Sequence, residues 1–233
     1  MLNLIFAESA LETIPESLWN HPSIINRAKA LGKNPKDTLL DRSYHHRAML
    51  QLIDGEKRGR PDIIHFALLE ALGTPLNREG LLRIYIHTVS DHIISIDPEV
   101  RLPRNYDRFV GLVGQLYKEG KVPVTGRPLL TVRKGFLNDV LLEIKPSYVL
   151  MFSRKGKAKT LGDAVEVLSE KNNSLAIIGA FPHGNFSDET VKLADMSVSI
   201  DPEMLEAWTV TSRVIYEFEK HIGLPEIRWK KEQ

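Results

Sequence analysis

Three arginines, Arg101, Arg104 and Arg108 in "RLPRNYDRF", stand interleaved with Tyr106 and Phe109. Planar guanidinium forks suit phosphate oxygens and aromatic faces suit unstacked bases, so the pattern fits a nucleic-acid strand. If the segment is helical from 104, Arg104 and Arg108 share a face at i and i+4. The same stretch also fits a solvated face with Asp97, Glu99 and Asp107 as partners. A second basic run, "SRKGKAK" (153 to 159), brings Arg154, Lys155, Lys157 and Lys159. It belongs to one of three similar segments, "MFSRKG" (151 to 156), "IIGAFPHG" (177 to 184) and "VSIDPEMLEAW" (198 to 208). Each leaves an apolar run for a loop with a small residue, a proline or both, which leaves backbone groups free to meet a ligand. If the three runs are neighbouring strands, their loops converge on one crevice of nucleoside size. Neither the dinucleotide fingerprint GxGxxG nor a P-loop occurs. "DRSYHH" and eight histidines raise metal-dependent hydrolysis. However, His45 and His46 are adjacent and point apart on a helix, and there is no HExxH or cysteine pair.

These groups need a scaffold, and the hydrophobic pattern supplies one. "LNLIFAE" (2 to 8) reads as a buried strand and residues 16 to 35 as a helix with a Gly-x-x-Pro exit. A helix is expected around 43 to 53, then an amphipathic helix over "DIIHFALLEALG" (62 to 73) with Asp62 where an N-cap would sit. "LLRIYIHT" and "HIISID" predict a hairpin, and "YDRFVGLVGQLYKEG" (106 to 120) returns to helical period. From about 128, beginning with "LLTVRK", strands and helices alternate, ending in a long helix from about 203 to 222. That rhythm implies a parallel sheet covered by helices, with ligands outside the carboxyl ends of the strands. The 233 residues can bury a sizeable core, and Met204 and Leu205 fit such a core as well as they fit a ligand wall. With 31 Lys and Arg against 30 Asp and Glu, the net charge of +1 neither supports nor excludes a polyanionic partner. No cysteine, no long apolar span and no export signal are visible, so a soluble cytoplasmic protein is expected.

Several motifs in order carry a resemblance. "RPDIIHFALLEALGTPLNREGLL", "YIHT", "RLPRNYDRFVGLVGQL" and "IGAFPHG" resemble the SPOUT-class pseudouridine N1-specific ribosomal RNA methyltransferase family of ribosome biogenesis. The short form and "LLDRSYHHRAM" resemble its archaeal branch. The resemblance covers nearly the whole chain. It implies an α/β fold, a SPOUT-type parallel sheet covered by helices with a C-terminal trefoil knot, and a family-specific hairpin and helical insertion. One domain would then span 1–233, with the insertion at about 74–128 carrying the RNA-binding arginines and a knotted cofactor-binding half at about 129–222. A homodimer, small-subunit ribosomal RNA as substrate and S-adenosyl-L-methionine as cofactor are likewise implied, with no metal.

The family's cofactor site corresponds to Ser153, Gly156, Ile178, Gly179, Phe181, Pro182, His183, Gly184, Ser199, Ile200, Met204, Leu205 and Ala207. His183 fits loop packing as well as ligand contact. The implied RNA-binding surface holds Arg60, Arg101, Arg104, Tyr106, Arg108, Arg154 and Lys155. Arg60 and Asp62 in "RPD" are the candidate catalytic pair, Arg60 aimed at a phosphate or the target base and Asp62 as helix cap and Arg60 partner. Asp41 and His45 are further candidates near the reacting base. Many relatives carry an aspartate before the "[ST]P-L-N" turn where this chain has Gly73, which leaves the general base open. The implied reaction methylates N1 of an extruded pseudouridine, a position that is the glycosidic nitrogen in uridine and has no proton to lose there. Two rivals use the same residues: a non-catalytic RNA-binding assembly factor, and a SPOUT enzyme acting on ribose or another base.

Overall fold

A computed structural model describes residues 1–231 of the chain. Its order is β1 (Leu2–Ser9), α1 (Pro22–Leu31), α2 (Arg42–Met49), α3 (Pro61–Gly73), α4 (Pro75–Arg78), β2 (Leu82–Thr88), β3 (His92–Ile96), α5 (Tyr106–Glu119), β4 (Lys121–Val122) and β5 (Leu130–Lys134). It continues with α6 (Leu137–Ile144), β6 (Tyr148–Ala158), α7 (Leu161–Glu170), β7 (Ser174–Gly179), α8 (Asp188–Val191), β8 (Met196–Ser199), α9 (Ala207–His221) and α10 (Leu224–Lys231).

One eight-stranded sheet runs β4-β5-β3-β2-β1-β7-β6-β8. From β2 through β8 the neighbours are parallel, whereas β3, β5 and β4 are antiparallel. β1 lies mid-sheet and is buried along its whole length, which is why its sequence is a continuous apolar run rather than an alternation. One core packs on the face under α3, α5, α7 and α9, and a second on the opposite face under α6. α5 shows how the pattern builds this: Phe109, Val113 and Leu116 are buried, each gaining roughly 1.5–3 kcal/mol by leaving water.

Four expectations are corrected. β5 does not open the parallel series. It pairs antiparallel with β3 and β4, because the short link from β4 cannot make the dozen-residue crossover that parallel pairing requires. The first helix begins at Pro22, where the proline fits the first helical turn and His21 caps through Nδ1, accepting from the Ser23 N–H at 3.3 Å. Asp62 is not the cap of α3: Arg60 is, Pro61 holds the first helical position, and Asp62 follows in the first turn. α9 begins at Ala207 instead of 203, because the Asp201 carboxylate accepts from the Glu203 N–H at 2.9 Å and bends the preceding segment into a turn.

The β6–β8 edge is unusual. Val198 pairs with Phe152 and again with Lys157, so the intervening residues arch out while the two strands stay paired on either side. Gly156 sits in that arch, and a Cβ there would come within 2.4 Å of the Val198 backbone nitrogen.

Candidate functional site

The exits of β6, β7 and β8 converge as their order in the sheet demands. They enclose a cleft of about 270 Å³ lined by Ser153, Ile178, Gly179, Phe181, Pro182, His183, Gly184, Ser199, Ile200, Met204, Leu205 and Ala207. Twelve of the thirteen residues expected at the cofactor are thus together. Gly156 is not among them: its role is the close approach of two backbones in the arch, which no side chain would permit. Gly179 is small for a second reason, because a Cβ would meet the rings of Phe181 at 2.9 Å and Phe186 at 3.0 Å. Those rings pack edge to face, with centroids 5.4 Å apart. Met204 and Leu205 precede α9, and Met204 is 63% exposed, so it serves the cleft rim rather than the core. His183 is exposed on the same rim.

The lining fits a nucleoside with an amino-acid tail. Ile178, Phe181, Ile200, Leu205 and Val210 offer apolar surface for a base, and Asp201, Glu203, Glu206, Arg60 and Arg154 also line the cleft. Both charge signs are therefore available to a zwitterion.

Arg60 connects this cleft to a second concavity lined by Arg42, Ser43, Arg60, Asp62, His65, Phe66, Arg104 and Tyr106. Its guanidinium forks onto Asp62, with Nε donating to Oδ1 at 2.8 Å and Nη2 to Oδ2 at 2.7 Å. The pair leaves one guanidinium nitrogen for a ligand and fixes the plane of the fork. Arg104 precedes the helix, whose cap is Asn105 accepting from the Arg108 N–H at 3.0 Å; the expected i, i+4 face is therefore absent. Arg101, Arg104 and Arg108 are nonetheless all exposed. Asp97 and Glu99, their expected carboxylate partners, bind Arg127 instead, at 2.5 Å and 3.1 Å. Arg154 reaches the cleft rim; Lys155 is exposed beside it.

Tyr106 lines the concavity, but its hydroxyl donates to Asp41 Oδ2 at 2.6 Å. Burial and the Asp41 hydrogen bond both push its pKa up, so the phenol stays protonated. Asp41 also caps α2, accepting from the Ser43 N–H at 2.8 Å. His45 is 1% exposed, its Nδ1 accepting from the Asp41 N–H at 3.0 Å. Burial lowers its pKa to about 4, so it is neutral. Asp41 therefore ties the start of α2 to α5, with His45 bound behind it; neither lines the cleft or the concavity, although the Asp41 charge acts on Arg60. Phe66 escaped the sequence reading altogether. It is 48% exposed in the concavity and leans edge-on against Trp208, with centroids 5.3 Å apart. The available signal was a bulky aromatic following the buried run of α3, at the outward turn of its period. Among the described residues no group of three or more His, Asp or Glu side chains could hold a metal ion.

Fold and site together define an α/β protein of mixed sheet, with a nucleoside-sized cleft at the parallel strand ends and a basic concavity beside it. The chain belongs to the EMG1/NEP1 methyltransferase family, whose model matches residues 4–219. It is 44% identical over 224 residues to the ribosomal RNA small subunit methyltransferase Nep1 of Thermococcus kodakarensis, covering 96% of this chain and all of that one. It is 46% identical to the protein of the same name from Staphylothermus marinus, covering 92% and 93% of the two chains. The crystal structure of Archaeoglobus fulgidus Nep1 bound to S-adenosylhomocysteine is similar with a TM-score of 0.83 at 37% identity, over 94% of this chain and 98% of that one.

Proposed function

We propose that the protein methylates N1 of a pseudouridine in a hairpin loop of small-subunit ribosomal RNA, using S-adenosyl-L-methionine, during ribosome assembly in the cytoplasm. The observation that carries this reading is Arg60, which lines both the cleft at the strand ends and the basic concavity. A base held in the concavity meets whatever the cleft holds only across this residue.

S-adenosylmethionine supplies an electrophilic methyl group on a sulfonium, a good leaving group, so positioning and exclusion of water do most of the work. The cofactor is held by Ile178, Gly179, Phe181, Pro182, Gly184, Ser199, Ile200, Leu205 and Ala207, with Ser153, His183 and Met204 at the rim. Arg101, Arg104, Arg108, Arg154 and Lys155 grip the phosphates, and their exposure supports this. Phe66 and Tyr106 give flat faces for an extruded base. Arg60, its plane fixed by Asp62, orients the base edge. Gly73 offers no carboxylate for the N1 proton, and Asp41 is bound to Tyr106.

The working form is a homodimer, and Tyr216 on α9 and Trp229 on α10, 60% and 70% exposed, offer apolar surface for it. A threaded C-terminal half from about 129 to 222 is supported by the double pairing of Val198 on either side of the arch. The insertion at about 74–128 carries three of the phosphate-gripping arginines, Arg101, Arg104 and Arg108, and its antiparallel flank extends to β5.

Arg60→Lys tests the central residue, since lysine keeps the charge and loses the fork. Methyl transfer at saturating cofactor should fall at least about tenfold, while affinity for S-adenosylhomocysteine stays within about twofold. Unchanged turnover would remove Arg60 from the reaction site.

A further inference from the structure

The cleft depends on a segment with little support of its own. Phe181 through Phe186 lies between β7 and α8, has no regular secondary structure, and enters no backbone–backbone hydrogen bond among the described residues. Such a segment does not hold a ligand-binding shape by itself, so its conformation must come from side chains. Phe186 packs against the core under α6, and three further tethers involve Lys57 or Glu8. The Lys57 ammonium donates to the Asn185 carbonyl at 2.7 Å and lies 4.1 Å from the Phe181 ring centroid. It also pairs with the Glu8 carboxylate. Glu8 Oε1 in turn accepts from the Ser187 N–H at 2.9 Å, just beyond the segment.

The two residues are built for this task. Glu8 is the penultimate residue of β1 and has φ +50°, a left-handed conformation rarely taken by non-glycine residues and kept only where surroundings over-determine it. Its side chain is 9% exposed and that of Lys57 16%, so the pair is shielded from solvent. Burial would raise the Glu8 pKa, but Lys57, Ser187 and Thr190 outweigh it and hold it below the ordinary carboxylate range. Lys57 belongs to the strap that reaches Arg60 three residues later, so one short piece of chain contacts the cofactor segment and the RNA concavity.

We propose that Lys57 and Glu8 are positioning residues that hold the Phe181–Phe186 segment in its cofactor-binding shape, an inference that rests on the cleft being the cofactor site. Neither residue touches the cofactor; each acts through the segment.

The test is calorimetric titration of the full-length protein with S-adenosylhomocysteine, alongside thermal unfolding and RNA affinity. Lys57→Met keeps the stem and loses the ammonium; it should weaken binding about tenfold while RNA affinity stays within about twofold. Lys57→Arg should restore most of it. Glu8→Gln, which keeps an acceptor for the Ser187 N–H, should weaken binding in the same direction, and the double variant should be no weaker than Lys57→Met alone. Should Lys57→Met fail to fold, Glu8→Gln carries the comparison. Wild-type affinity in a folded Lys57→Met or Glu8→Gln protein, or fully additive effects, would overturn the clamp. Leu205→Arg, in the cleft wall away from the clamp, separates the two claims. If it abolishes binding while Lys57→Met does not, the clamp alone fails; if it too binds normally, the cleft reading fails and the clamp with it.

Discussion

Arg104 has no carboxylate within salt-bridge distance among the described residues and projects into the concavity shared with Arg60. Its positive charge is thus available to a phosphate at the cost of losing only water. Arg104→Glu should weaken binding of a target hairpin by about tenfold or more and leave S-adenosylhomocysteine affinity unchanged, as filter binding and calorimetry would show. Equal RNA affinity would mean that this face is not the RNA surface. A second residue-scale prediction concerns pH. His45 is neutral when folded, with its pKa lowered to about 4 by burial. The unfolded chain takes up that proton first, so the stability from neutral His45 is present above about pH 6.5 and is lost as pH falls toward 4. His45→Gln should flatten the stability profile over that window by up to one proton. A profile as steep as wild type would show that His45 is not the group responsible. The residue scale was also the least legible in sequence. Asp41 and His45 have the right types for a reaction site, yet what decides their role is that a tyrosine 65 positions away consumes the carboxylate. No local pattern reports such a pairing.

The elements were read largely from their periods, and the misses fall where one polar or cyclic side chain overrides a period. Asp201 delays α9, Pro22 delays α1, and Pro61 moves the cap of α3 back to Arg60. The direction of β5 could not be read at all, because a strand carries no mark of which neighbour it will join. Two element contacts invite tests. Tyr106 ties α5 to the start of α2 by a bond to the Asp41 carboxylate, and hydrogen bonds to charged groups are worth about 1.5–3 kcal/mol. Tyr106→Phe should therefore lower stability by about 2 kcal/mol in denaturant unfolding and loosen the presentation of Arg104. No change in midpoint would make the tie incidental. At the β6–β8 edge a Cβ at 156 would collide with backbone rather than a yielding side chain. Gly156→Ala should cost about 2–3 kcal/mol or prevent folding, although residue 156 lines no part of the cleft. A stable Gly156→Ala protein with unchanged melting would contradict the close approach described for the arch.

At the scale of the molecule, the cleft lies at the ends of β6, β7 and β8 and the basic concavity on α2, α3 and the start of α5; on the proposed reading these take cofactor and RNA. The segment from Lys57 to the helix start at Arg60 joins the two. The cleft was legible because three strand exits share a composition, and their being neighbours was the one assumption needed. The concavity was half legible: Arg60 and Arg104 stood out, whereas Phe66 and Arg42 depend on how α2 and α3 come together. Whole-chain charge was uninformative at +1, since the basic groups matter by clustering and not by sum. The most direct measurement is transfer of a labelled methyl group from S-adenosylmethionine to two small-subunit RNA hairpins that differ only in one uridine or pseudouridine. Label on the pseudouridine hairpin alone is the predicted result, since only that base has an N1 that can lose a proton and accept the methyl group. Label on the uridine hairpin, or tight binding to both with label on neither, would contradict the account and leave, respectively, a methyltransferase of another target or an RNA-binding assembly factor.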